Sequence, residues 1–106
     1  MALEHANDTN FTDKIAKGLT LVDFWASWCG PCRMFGPIFE EASNKISDVN
    51  FVKFEIEPSN QRTAAKYGIR SIPSVLAFKN GELVEARTGL MDLETLTHWI
   101  SELKGV

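Results

Sequence analysis

The apolar positions of this chain change period several times between its ends, and each change marks a new element. Leu19-Thr20-Leu21-Val22-Asp23-Phe24-Trp25 is apolar at nearly every position, as a strand covered on both faces requires. From Cys29 the period lengthens, and Phe35, Ile38, Phe39, Ala42 and Ile46 fall on one helical stripe. Pro37 lies inside that stripe, so a kink is expected there, with Gly36 loosening the turn further. Phe51-Val52-Lys53-Phe54-Glu55-Ile56 returns to the alternation of a strand, which right-handed crossover lays parallel to the earlier ones.

The flanking segments are shorter. A brief extended piece around Leu3 to Ala6 is followed by Asn10, a predicted cap for a helix in which Phe11 and Ile15 share a face and which Gly18 stops. Ser59 or Asn60 is predicted to cap a helix that ends at Tyr67-Gly68. Ser74 to Phe78 and Leu83 to Thr88 flank Asn80-Gly81, a strong signal for a tight hairpin. Asp92 then caps a last helix with Leu93, Leu96, Ile100 and Leu103 at helical spacing. The predicted order is βαβαβαββα, an α/β fold with a mixed sheet, in one domain spanning residues 1–106.

Composition narrows the function classes. With 44% hydrophobic and 24% charged residues, 106 residues suit one ordinary globule. A net charge of -3 supplies no basic footprint, so nucleic acid is not an expected partner. No apolar run has the length of a bilayer span, and Met1 to Asp8 holds neither a cationic nor an apolar leader region. The expectation is an intracellular, cytoplasmic protein without a membrane partner.

The chemistry is concentrated in Trp28-Cys29-Gly30-Pro31-Cys32, which holds the only two cysteines. If a helix begins there, its unpaired N–H groups and dipole favour a thiolate at Cys29. Cys32, almost a turn further in, points back towards Cys29 but is more covered. That makes Cys29 the candidate nucleophile and Cys32 the resolving thiol. Two cysteines at this spacing are also half of a zinc site. The two histidines, His5 and His98, stand near opposite ends of the chain without metal-site spacing, which weighs against zinc. A purely structural bridge is disfavoured because so short a loop restricts the unfolded chain very little.

These residues resemble the thioredoxin family over nearly the whole chain. The likeness rests on Asp23-Phe24-Trp25-Ala26, Trp28-Cys29-Gly30-Pro31-Cys32-Arg33-Met34, Pro37, Lys53, the block Lys66 to Ser74, Phe78-Lys79-Asn80-Gly81 and Gly89. It implies the thioredoxin fold, a mixed central sheet flanked by helices on both faces. It also implies a monomer that reduces disulfides in client proteins and is re-reduced by a thioredoxin reductase drawing on NADPH, with no bound cofactor or metal. Electrons would pass through a redox-active Cys29–Cys32 disulfide. By the resemblance Asp23, with Lys53 as partner, exchanges the proton of Cys32, and burial in an apolar strand suits it to that task. Pro73 matches a cis-proline, and Ile72 and Gly89 an edge for an extended client segment. Trp28, Gly30 and Pro31 flank the same groove, while Trp25 and Trp99 are expected to be largely buried.

Departures from the family pattern are Glu55 and Glu57 with Pro58 in place of an aspartate-containing stretch, Gly36 where alanine is frequent, and Leu90 where a small residue is common. Leu90 is expected to reshape the client groove without touching the dithiol. Two other functions share the motif: a thiol oxidase or isomerase, against which Gly30-Pro31 argues, and a non-catalytic module that binds a partner through the groove.

Overall fold

The computed structural model describes residues 3–105. The elements follow the predicted order: β1 (Glu4–Ala6), α1 (Phe11–Lys14), β2 (Leu19–Trp25), α2 (Gly30–Lys45), β3 (Asn50–Glu55), α3 (Arg62–Lys66), β4 (Ser74–Lys79), β5 (Glu82–Thr88) and α4 (Leu93–Lys104). The strands form one sheet in the order β1-β3-β2-β4-β5. β1 and β2 run parallel to β3, because helical crossovers join β1 to β2 and β2 to β3. β4 pairs antiparallel with β2, which makes the sheet mixed, and the hairpin sets β5 antiparallel to β4. In that hairpin Asn80 and Gly81 both adopt positive φ, 49° and 88°, the pair a tight right-twisting turn needs.

Alternation along β2 and β3 sorts the side chains between two cores. Val22, Phe24, Val52 and Phe54 pack with Phe11, Ile15, Ala64 and Phe78 on the α1 and α3 face. Leu21 and Phe51 pack with Phe35, Phe39, Leu96, Trp99 and Ile100 on the face covered by α2 and α4. Asp23 shares the parity of Leu21, and Lys53 that of Phe51. Both therefore face α2.

Several local expectations are corrected. Asn10 stands at the N-cap of α1, but its side chain makes no capping bond to the helix; its Oδ1 instead accepts the Asn7 N–H at 2.7 Å, tightening the turn before the helix. Neither Ser59 nor Asn60 caps α3, which begins after Gln61. Asn60 is held by the Glu55 carbonyl and the Asp8 N–H. The cap comes from a distant residue, Asp8, whose carboxylate accepts the Arg62 and Thr63 N–H groups at 3.1 and 2.8 Å and the Thr63 hydroxyl at 2.7 Å. Helix α2 runs over sixteen residues, Gly30–Lys45, with Pro37 inside it. Trp99 is buried as expected, whereas Trp25, at the end of β2, is only half-buried.

Candidate active site

Strand β2 delivers the chain to the site and α2 takes it away. Beyond Trp25 the buried Ala26 carbonyl accepts the Cys29 N–H at 3.1 Å, closing a tight turn. The turn leaves Trp28 77% exposed and places Cys29 at the N-cap of α2. There Cys29 Sγ accepts the Cys32 N–H at 3.2 Å, in the place a serine or aspartate oxygen occupies at other helix starts. Gly30 and Pro31 occupy the first two helical positions, where the missing N–H of proline leaves no bond unmade. The same helix end favours an anionic sulfur at Cys29 once the thiol is free.

Cys29 and Cys32 are joined as a disulfide, with Cα atoms 5.3 Å apart. Cys29 is 6% and Cys32 2% exposed, the ranking expected of an attacking and a resolving sulfur. Both pack with Ala26, and Trp25 and Ile72 close over that cluster.

A second segment meets the dithiol from the far side of the sheet end. The Ile72 carbonyl oxygen lies 3.7 Å from Cys29 Sγ, and the Ile72–Pro73 peptide is cis. Pro73 in turn accepts the Gly89 N–H at 2.8 Å. Gly89 has a φ of 99°, a conformation that favours glycine. Leu90 follows it and is 46% exposed. The contact sets Ile72 against Cys29, and the Gly89 bond ties Pro73 to Gly89, with Leu90 next in the chain. Met34, two residues after Cys32 and off the apolar stripe of α2, is 63% exposed.

Within β2, Asp23 is fully buried, and neither carboxyl oxygen has a hydrogen-bond partner. Burial pushes its pKa up to about 7 from an ordinary value of 3.8, against the opposing pull of the Lys53 charge. Sheet register sets Asp23 beside Lys53 on β3 and Val75 on β4. No described ion pair joins Asp23 to Lys53. The Lys53 ammonium lies instead over the Trp25 ring, 4.5 Å from its centroid.

Among the described residues no group of three or more His, Cys, Asp and Glu side chains could hold a metal ion. No helix among them is long and apolar enough to cross a membrane.

The thioredoxin family model matches residues 2–102. The chain is 41% identical over 103 residues to a thioredoxin of Bacillus subtilis, covering 96% of this chain and 98% of that protein. It is 44% identical over 93 residues to one of Chlamydia muridarum, covering 88% and 90%. Thioredoxin f from spinach chloroplast, in its short form, superposes with a TM-score of 0.89 at 25% identity, over 96% of this chain and 93% of that one. A disulfide at a helix start, in this fold and with these relatives, means that the chain belongs to the thioredoxin family of thiol–disulfide oxidoreductases, which act as disulfide reductases.

Proposed function

We propose that the chain acts as a single-domain monomer in the cytoplasm and reduces client proteins with Cys29 as the attacking and Cys32 as the resolving sulfur. The observation that carries this reading is the placement of Cys29 at the N-cap of α2 with Cys32 more covered behind it. The Cys29 thiolate attacks one sulfur of the client disulfide, forming a mixed disulfide and releasing the other client sulfur as a thiolate, which takes a proton. Cys32 gives its proton to Asp23 and attacks Cys29 Sγ. The Cys29–Cys32 bond closes, the second client thiolate leaves, and two electrons have passed to the client. With a pKa near 7, Asp23 is poised to accept that proton and to return it when the disulfide is reduced again. Lys53 supplies the nearby positive charge that favours the ionised carboxylate.

The client is held across Trp28, Gly30 and Pro31 on one side and Ile72, Pro73, Gly89 and Leu90 on the other, as an extended segment. Nucleic acid and membranes are not partners in this reading. Re-reduction draws on NADPH through a thioredoxin reductase. Insulin reduction coupled to a reductase and NADPH tests the cycle, and a Cys32→Ser protein exposed to a cell extract should capture clients as mixed disulfides. A protein that consumes no NADPH with insulin present, and captures no clients, would sink the proposal.

A further inference from the structure

Gly36 occupies the middle of α2, where glycine is the least favourable residue short of proline. It is buried and precedes Pro37. A Cβ placed on it would lie 3.3 Å from Lys53 Nζ, the sole contact within 4 Å apart from the glycine's chain neighbours and the local backbone of α2. That is inside the ordinary contact distance of such atoms. On another side the ammonium meets the Trp25 ring, 4.5 Å from its centroid. Lys53 therefore rests in a slot whose walls are an aromatic face and the bare backbone of a helix.

We infer that Gly36 is a positioning residue: its missing Cβ admits the Lys53 ammonium between Trp25 and α2, and this placement sets how strongly Lys53 acts on Asp23 and hence the pH dependence of the resolving step. The charged and titratable groups facing Asp23 are few. β3 contributes Lys53 and α2 the Cys29–Cys32 pair, whereas β4 sets Val75 opposite, and α4 lends the shared core Leu96, Trp99, Ile100 and Leu103. With the cysteines oxidised, Lys53 is the one charge among the described residues whose pull on the carboxyl is resolved. A methyl group on residue 36 crowds the slot at 3.3 Å from the ammonium, so Lys53 must give by a few tenths of an ångström. The interior around fully buried Asp23 is packed, so half-buried Lys53 yields towards solvent, away from the carboxyl. Its pull on the carboxylate weakens as it withdraws.

The inference rests on Asp23 serving as the base for Cys32, and the experiment separates the two. The Asp23 carboxyl is titrated by carbon NMR in the oxidised wild type, Gly36→Ala, Lys53→Met and the double variant. Alanine is a better helix former than glycine, so Gly36→Ala is expected to fold. It should raise the Asp23 midpoint by a few tenths of a pH unit, and the rise should vanish when Lys53 is already methionine. The pH profile of mixed-disulfide release should move by the same amount. An alternative account, in which Gly36 only eases crowding ahead of Pro37, leaves the midpoint unchanged. No shift, a downward shift, or an equal shift with and without Lys53 overturns the inference. Failure of the underlying reading is recognised separately, by an Asp23→Asn protein whose release profile matches that of the wild type.

Discussion

Replacing Asp23 with asparagine should move stability in the variant's favour as pH rises. The carboxyl has a folded value of about 7 against an ordinary value of 3.8. A raised value means the folded state holds the proton more tightly than the unfolded chain. The favourable contribution is therefore present at acid pH, below both values, and is lost as pH rises from near 4 to near 7. At about 1.4 kcal/mol per pH unit, the gap amounts to about 4 kcal/mol once both states are ionised, a large share of a typical domain stability of about 5–15 kcal/mol. The attraction of Lys53 is already contained in that figure, since it is one of the causes that set the folded value. Asparagine keeps the shape and removes the titration. Its amide brings a pH-independent offset of about 1–3 kcal/mol if its donors go unpaired, so the decisive quantity is the change with pH. Urea unfolding of the oxidised proteins from pH 4 to 8.5 should show the stability difference between variant and wild type moving in the variant's favour by about 3 kcal/mol between pH 4 and 7, then levelling off. A difference that stays flat across this range would refute the reasoning.

Further outcomes follow from the same geometry. Cys29→Ser should abolish turnover, while Cys32→Ser should attack clients and stall as a mixed disulfide; adduct trapping in both variants checks this, and adducts confined to Cys29→Ser would reverse the roles. Leu90→Ala should redistribute rates among clients by about 1–3 kcal/mol in transition-state energy at unchanged reduction potential, measured on a panel of disulfide substrates; a uniform change would count against a groove role. Asp8→Ala should cost about 1–3 kcal/mol at neutral pH, because it strips the N-terminal N–H groups of α3 of their acceptor. Burial alone would raise the Asp8 pKa, but the Thr63 and Arg62 bonds outweigh it and hold it below the ordinary value. The Asp8 contribution is therefore complete above the ordinary value and lost as pH falls through the depressed one; thermal unfolding of wild type and variant down to pH 2.5 would expose any contrary trend.

The fold was legible wherever a signal was periodic or local. The central strand, the stripe of α2 and the Asn80-Gly81 hairpin each state their geometry within a few residues, and the element order followed from them. The capping of α3 was not legible, since its acceptor is Asp8, 54 and 55 residues from the N–H groups it receives. Local rules favour a nearby Ser or Asn, and tertiary structure overrode them. The half-burial of Trp25 was hidden for a related reason: the ring lies at the end of β2 under the Lys53 side chain, and an apolar run does not announce where its cover stops.

The site divides along the same line. Trp28 to Cys32 could be interpreted from its own spacing, because helix geometry alone fixes how two sulfurs three residues apart meet. Ile72, Pro73 and Gly89 could not, because the Ile72–Cys29 contact and the Gly89–Pro73 bond join residues distant in the chain. Asp23 falls between the two cases. A carboxylate inside an apolar strand is conspicuous in sequence and its burial is expected there, yet its unpartnered oxygens emerge only when β2, β3 and α2 are assembled. The same assembly gives Gly36 its meaning. In sequence it is a glycine before a proline; in the fold it is the wall of the slot that holds the ammonium of Lys53, the residue in register with buried Asp23.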